Sequence, residues 1–174
     1  GQGYGGVATM GSLDECRFEN RSQAIHEAMG NFEDVWKILP LPTTDPNATE
    51  EQFFLSASNF TGVLSSSGAF QLLDRGEIQR GFLWGADAVG WQRGDSLWKW
   101  SSGDISGVAV PKGVQVEAVM TDAENHLMLF THESGMLVEG EDGVWLESDS
   151  ELSQYLKANR TRCLLQTAPD RWWV

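Results

Sequence analysis

GFLWGADAVGWQRGDSLWKW, residues 81–100, holds four of the eight tryptophans of this 174-residue chain. Near its centre, Gly94-Asp95 fits a two-residue hairpin turn that begins with glycine. This turn sets the pairing of the flanking strands and predicts that Trp91 lies opposite Trp98. The segment therefore predicts an antiparallel hairpin.

One face of this hairpin is expected to be aromatic, because side chains alternate between the two faces of a strand. The predicted face consists of Val89, Trp91, Trp98 and Trp100. A four-residue loop over 85–88 would add Phe82 and Trp84 to it. Each indole buries roughly 200 Å² at about 25 cal/mol per Å², so this face needs a cover.

An amphipathic helix over residues 22–39 is the expected cover. Its apolar residues recur at helical spacing. They are Ile25, Ala28, Met29, Phe32, Val35, Trp36 and Leu39. Ser22 can act as the N-cap and Pro40 ends the pattern. Met29, Phe32 and Trp36 are expected to pack on the tryptophans.

Short apolar or alternating runs, separated by glycine and acidic turns, fill the chain from Phe53 onward and predict antiparallel hairpins. The predicted strands are 53–57, 61–65, 68–73, 77–84, 88–92, 96–100, 105–110, 114–121, 126–131, 136–140 and 143–147. A second helix is predicted over 149–158, with Ser148 and Glu151 as a capping box. The tail from Arg162 is expected to add a final strand.

These elements predict a mainly β fold: an antiparallel hairpin meander that forms an open barrel or a sandwich, with an N-terminal amphipathic helix and a short C-terminal helix. Residues 1–14 are expected to form a flexible arm and residues 15–174 a single β-rich domain. Segments 84–98 and 130–145 resemble each other at an offset of 46 residues, which leaves a small propeller as an alternative.

The net charge of −13 limits the possible partners. An acidic surface repels phosphate backbones and anionic membranes, so we expect no nucleic-acid binding. The chain has no apolar run long enough to span a bilayer, and no membrane insertion is expected. A basic protein is the partner that such a surface favours, although the charge can also serve solubility alone.

Two features favour a secreted or periplasmic protein. Cys16 and Cys163 could form a disulfide that joins the two ends of the chain, or could both be buried thiols. Four asparagines fit the N-x-[ST] glycosylation pattern. They are Asn20, Asn47, Asn59 and Asn159. The compartment itself is left open.

Catalytic and metal-binding patterns are weak throughout the chain. His126 and His132 bracket one predicted strand, while His26 lies on a helix flank. A hydrolytic zinc site requires three convergent ligands and a base, and this spacing does not supply them. We therefore expect no metal and no cofactor, and an enzyme is the less favoured reading.

FENRSQA, Phe18 to Ala24, resembles the opening of phycobiliprotein chromophore lyases, which reads F-x-N-x-x-Q-A. TDAENHLMLFT, Thr121 to Thr131, is similar to late strands of these lipocalin-like barrels. The resemblance covers well under a quarter of the chain. It implies a β-barrel cavity that holds a linear tetrapyrrole among Trp and Asp residues.

Three functional hypotheses follow. The first is a non-enzymatic binding protein for a basic protein partner, such as an inhibitor, immunity or assembly factor. The second is a binder of a planar or apolar small molecule in a Trp-lined barrel cavity, of the chromophore-lyase type. The third is a hydrolase centred near His126 and His132. The residues predicted to contact a ligand or partner are Trp84, Trp91, Trp98, Trp100, Asp87 and Asp95.

Overall fold

A computed structural model of the chain describes residues 7–10, 18–32, 34–41, 50–78, 80–84, 88–122, 126–140, 142–159, 165–168 and 171–173. The chain divides into two compact units, Gly1–Gly81 and Phe82–Val174. The expected single domain over 15–174 stays a prediction, since two such units can belong to one domain. No helix in the described residues is long and apolar enough to cross a membrane.

The first unit combines a short hairpin, one helix and a four-stranded sheet. Its elements are β1 (Ala8–Met10), β2 (Phe18–Asn20), α1 (Ser22–Met29), β3 (Val35–Pro40), β4 (Gln52–Ala57), β5 (Phe60–Ser65) and β6 (Phe70–Arg75). β1 pairs with β2, and β3 to β6 form an antiparallel meander in chain order. Thus part of the predicted N-terminal arm, Ala8–Met10, is paired as a strand.

The second unit contains an eight-stranded sheet, a helix and a terminal hairpin. Its elements are β7 (Arg80–Trp84, which begins at the boundary), β8 (Ala88–Arg93), β9 (Ser96–Ser101), β10 (Asp104–Ala109), β11 (Val116–Thr121), β12 (Leu127–Thr131), β13 (Gly135–Glu139), β14 (Trp145–Glu147), α2 (Glu151–Asn159), β15 (Leu165–Ala168) and β16 (Arg171–Trp173). The sheet order is β10-β9-β8-β7-β11-β12-β13-β14.

This sheet consists of two four-stranded antiparallel meanders joined along their first strands. β7 and β11 are parallel, with Trp84 opposite Val119. The four-stranded meander is also the unit of propeller blades. The predicted offset of 46 residues is wrong as a structural repeat, because it matches Trp84, on the first strand of one meander, with Phe130, on the second strand of the next.

The mainly β, antiparallel fold with two helices is confirmed, and each strand predicted after Phe53 corresponds to an observed one. Two-residue turns explain this agreement. Gly94 has φ of +59°, as the first position of a II′ turn requires, while Ser102 (φ +51°) and Gly103 (φ +99°) form the primed turn between β9 and β10. Local turn chemistry therefore sets the strand boundaries.

The predicted helix over 22–39 is wrong in its second half. α1 ends at Met29, and Val35–Pro40 form β3 with alternating exposure. Gly30 has φ of +75°, which stops the helix, and the β-branched Val35 and Ile38 favour a strand. Ser22 is the first helical residue and not the N-cap. At α2 the amide of Ser153 donates to the Ser150 hydroxyl, so Ser150 caps that helix in place of the predicted Ser148.

The three residues predicted to cover the tryptophans from one helix face do not lie on one helix. Met29 and Phe32 are buried in the first unit's own core, while Trp36 is 65% exposed on β3. The other buried members of that core are Val7, Ile25, Leu55, Ala57, Phe60 and Leu64. Over a few residues, an apolar run can fit both helical and strand spacing. Here the pairing of β3 with β4 makes Val35–Pro40 a strand.

Apolar clusters of described residues lie in the second unit, and two of them show how its elements pack. One lies on the face that includes Phe82, Trp84, Leu97, Val119 and Leu129. The other joins Leu156 of α2 to residues of β11, β12 and β13, namely Ala118, Met120, Phe130 and Met136. The indole of Trp145 on β14 donates to the carbonyl of Ala109 on β10 at 2.9 Å. The two outer strands of the sheet are thereby linked.

Candidate functional site

The tryptophan hairpin has the predicted register. Trp91 pairs with Trp98 and Val89 with Trp100. Phe82 and Trp84, however, lie on the opposite face, because an added Cβ on Gly90 would come within 2.7 Å of both rings. β8 begins at Ala88, so three residues separate β7 from β8 instead of the predicted four. A one-residue difference moves a strand's side chains to the other face.

Most of these indoles are structural. Trp84 and Trp91 are 6% and 1% exposed, and Trp100 is 9% exposed. Only Trp98 is half-buried, and its ring lies against Gly107, where an added Cβ would come within 3.1 Å. The indole nitrogen of Trp100 is buried and has no hydrogen-bond partner in the described part of the chain. The tryptophans' predicted role in binding stays a prediction.

The other predicted residues are dispersed. Asp95 lies on the exposed β8–β9 turn, and its carboxylate accepts a hydrogen bond from the Gly113 amide at 3.1 Å. Asn20, Asn59 and Asn159 lie on β2, in the β4–β5 turn and at the end of α2. The remaining predicted residues lie outside the described residues; they are Asp87, Cys16, Cys163 and Asn47.

The two histidines of the second unit do not converge, and His26 belongs to the first unit. His26 in α1 packs on Phe32, with the ring centroids 4.7 Å apart. His126 contacts the Asp122 carboxylate at 2.9 Å at one end of β12, whereas His132 follows the other end. The described residues contain no group of three histidine, cysteine, aspartate or glutamate side chains that could hold a metal ion.

A pocket of about 410 Å³ opens beside His132, and sequence reasoning did not find it. Two segments line it: residues 112–115, which lead from β10 into β11, and residues 131–134, the β12–β13 turn. The His132 amide donates to the carbonyl of Gln115 at 3.1 Å, which joins the segments. We call this cavity the loop pocket.

The buried Gln92 holds one wall of the loop pocket in place. Its amide nitrogen donates to the carbonyl of Val114 at 2.6 Å and to that of Gly94 at 3.1 Å. Its amide oxygen accepts from the Val116 nitrogen at 2.8 Å. Asp95 adds the bond to Gly113, so the hairpin tip and the pocket wall are fixed to each other.

Behind the pocket lies a buried carboxylate that a β-bulge positions. Val116 pairs with Thr131 and Ala118 with Phe130, so Glu117 is the extra residue between them. The side chain of Glu117 is 2% exposed, and its Oε1 lies 3.7 Å from Nδ1 of the partly exposed His132. Bulges often redirect a side chain beside a functional site. In the sequence, this site is indicated by one acidic residue, Glu117, within the apolar strand predicted over 114–121.

This arrangement lacks the partner that nucleophilic catalysis requires. In the described part of the chain, no hydroxyl is hydrogen-bonded to the His132 ring, although Ser134 lines the same pocket. A base and its orienting carboxylate can activate a nucleophile only within hydrogen-bond reach of it.

A second surface lies at the end of the eight-stranded sheet. Leu146 on the outermost strand β14 is 59% exposed, and Val144 beside it is 58% exposed. Tyr155 on α2 is also exposed, and the ammonium of Lys157 lies 3.4 Å from the Glu147 carboxylate, which places the helix beside the strand. Exposed acidic residues lie close to Val144 and Leu146 in the sequence; they are Asp142, Glu147, Asp149 and Glu151. We call this surface the acidic edge.

Comparisons with known proteins identify a similar fold only. No protein-family profile matches the chain, and no curated protein matches it. A crystal structure of the extracellular domain of a protein assigned as a one-component system, from B. thetaiotaomicron, superposes with a TM-score of 0.53 at 15% identity. The match covers 82% of this chain and 20% of that chain. The chromophore-lyase resemblance receives no support from these comparisons.

Proposed function

We propose that this chain is a non-enzymatic binding protein whose acidic edge contacts a basic protein segment. The observation that carries the proposal is Leu146, 59% exposed on an outermost strand whose neighbours in the sequence include exposed acidic residues. Large apolar side chains exposed together on a surface are typical of interaction sites. The carboxylates around them select a partner of opposite charge.

The strand itself supplies a second means of recognition. β14 pairs with β13 on one side, and it ends the sheet. Since the Trp145 indole is bonded to Ala109 of β10, an extended peptide would add beyond Trp145, with main-chain hydrogen bonds giving affinity and alternate side chains giving specificity. A peptide that alternates apolar and basic residues would place its apolar side chains near Leu146 and its charges near the acidic side chains.

Electrostatics of the whole chain favours the same class of partner. The net charge of −13 accelerates encounter with a cationic protein and discourages wrong anionic partners. Such steering weakens as salt rises, because exposed charges are screened over about 8 Å at physiological ionic strength. The proposal therefore predicts strong salt dependence.

Calorimetry with a nine-residue peptide of alternating lysine and valine tests this function. We expect binding at 50 mM NaCl that weakens at least about tenfold at 300 mM, and no binding of the matching glutamate–valine peptide. The variant Leu146→Ser should weaken binding about tenfold. Ile105→Ser, at an exposed apolar residue on the other outer strand, is the matched control. Equal binding of both peptides, or equal effects of both variants, would contradict the proposal.

The small-ligand and hydrolase hypotheses remain proposals of lower rank. The indoles expected to line a cavity are mostly buried, and His126 lies at the far end of β12 from His132. Quenching of tryptophan fluorescence by a planar ligand, independent of salt, would favour the ligand binder. Hydrolysis that is lost in His132→Ala would favour the enzyme.

A further inference from the structure

We propose that this chain forms a weak symmetric dimer in which the β3 strands of two copies pair along their outer edges. β3 ends the four-stranded sheet of the first unit and pairs with β4 on its other side. Trp36 is 65% exposed and Ile38 is 52% exposed, and Pro40 is also exposed. An exposed apolar strand at the end of a sheet is a template for pairing with another chain. The inference is independent of the proposed function, because β3 and the acidic edge consist of different residues.

The pairing of β3 with β4 sets which main-chain groups of β3 point outward. The amide of Leu41, just after the strand, donates to the carbonyl of Gln52 at 2.8 Å. Main-chain groups alternate in direction along a strand, so the amide and carbonyl of Ile38 point away from β4. Pro40 has the same orientation, and its missing amide therefore removes no bond to β4. The outer edge of β3 offers the groups that a further strand requires.

The segment available for regular pairing is short and centred on Ile38. At one end, Trp36 is the extra residue of a β-bulge. At the other end, Pro40 has no amide to donate. The bulge and the proline confine regular pairing to residues 37–39. A two-fold axis through Ile38 lets the two copies of this residue exchange both main-chain hydrogen bonds.

The side chains of β3 favour a second copy as the partner. In this register Ile38 lies opposite Ile38, and Trp36 lies beside Pro40 of the other copy. Lys37 lies opposite Leu39, so the lysines of the two copies do not face each other, which would be destabilising. β3 contains no acidic residue, and it therefore lacks the groups that a basic partner requires. Its own sequence supplies the neutral, apolar strand that fits.

Contact area and charge both limit the affinity. Pairing of one short strand buries less than the roughly 1,200 Å² typical of stable complexes, so we expect a Kd on the order of 100 μM. Each copy also carries a net charge of −13, and the copies repel each other. Salt screens this repulsion. Dimerisation should therefore strengthen as salt rises, whereas binding at the acidic edge should weaken.

Analytical ultracentrifugation of the full chain tests the inference. In high salt, about 500 mM NaCl, we expect mostly monomer at about 10 μM protein and mostly dimer at about 500 μM. In about 50 mM NaCl the association should be at least about threefold weaker. A chain that stays monomeric at the higher protein concentration in high salt, or association that weakens with salt, would overturn the proposal.

Two variants with the same change in net charge locate the interface. Ile38→Lys should weaken dimerisation at least about tenfold, because it places two like charges at the axis. Ile105→Lys, at an exposed residue of the outer strand β10, should leave dimerisation unchanged. Should Ile38→Lys not fold, Trp36→Ser should still weaken dimerisation at least about threefold. Equal effects at β3 and β10, or no effect at β3, would overturn the proposal.

A mixture of variants tests the two-fold register. Ile38→Lys and Ile38→Glu should each be monomeric, since each places like charges opposite each other at the axis. Their equimolar mixture should form a heterodimer, because opposite charges then face each other. A mixture that associates no more tightly than either variant alone would overturn the pairing centred on Ile38 and with it the proposal.

Discussion

Trp91 and Trp98 lie directly opposite each other on β8 and β9, so both indoles project from one face of the sheet. Their surroundings nevertheless differ, since Trp91 is 1% exposed and Trp98 is half-buried. In this cross-strand pair, Trp91 is therefore a core residue, whereas Trp98 is partly exposed to solvent. The difference in burial between Trp91 and Trp98 should give the two alanine variants different free energies of unfolding.

Replacing Trp91 by alanine should reduce the free energy of unfolding by about 3–5 kcal/mol, the cost of deleting a buried aromatic side chain. Trp98→Ala should reduce it by about 1–2 kcal/mol, because part of that ring already contacts water. Urea unfolding followed by circular dichroism measures both. Equal losses for the two variants would contradict the assignment of Trp91 to the interior.

Gly90→Ala should destabilise the second unit by about 1–3 kcal/mol through overpacking. The added Cβ would lie 2.7 Å from Phe82 and Trp84 and 3.0 Å from the carbonyl oxygen of Trp98. Gly107→Ala is the matched control, since the nearest atoms to an added Cβ there belong to the half-buried Trp98 ring at 3.1 Å, and a shift of a few tenths of an ångström relieves that contact. Thermal unfolding of the two variants should therefore give clearly separated midpoints; coincident midpoints would place the rings elsewhere.

Gln92→Leu should cost at least about 2 kcal/mol, because the backbone groups of Val114, Val116 and Gly94 lose their side-chain partner in or near the interior. Gln115→Leu, at an exposed side chain in the same loop, should change stability by less than about 0.5 kcal/mol. Hydrogen exchange of the Val116 amide gives a local measurement. If that amide stays equally protected in Gln92→Leu, Gln92 does not hold the pocket wall.

Hydrogen bonds from the Ser67 and Ser65 hydroxyls lower the pKa of Glu50 below its ordinary value of 4.5. Carbon-detected NMR titration should find the midpoint below that value, and Ser67→Ala should raise it. Ser66→Ala is the control, since its hydroxyl accepts from the Glu51 amide instead. A midpoint that moves in Ser66→Ala but not in Ser67→Ala would contradict this arrangement.

The lowered pKa of Glu50 also predicts a pH dependence of stability. A carboxyl group with a depressed folded-state pKa stabilises the fold above its unfolded pKa, and this contribution is lost as the pH falls through the folded value. The difference in unfolding free energy between the wild type and Ser67→Ala should therefore shrink as the pH falls below 4.5 toward the folded pKa of Glu50. A difference that grows in that window would reverse the predicted sign.

The strands and the tryptophan register could be predicted because they depend on neighbours in sequence. Gly94-Asp95 and Ser102-Gly103 determine tight turns, and a tight turn determines which residues lie opposite each other. The face of Phe82 and Trp84 could not be predicted in this way. It depends on whether three or four residues connect β7 to β8, and amino-acid composition does not specify that number.

The sequence by itself determined the β-rich class, the antiparallel hairpins, the second helix and the acidic charge, since these follow from turn chemistry, periodicity and composition. Only the tertiary structure decided that Val35–Pro40 form a strand, that Glu117 lies behind His132, and that Leu146 remains exposed on an outer strand. Strand pairing between distant segments, a single bulge and the order of strands in the sheet produce these features, and no local pattern specifies them.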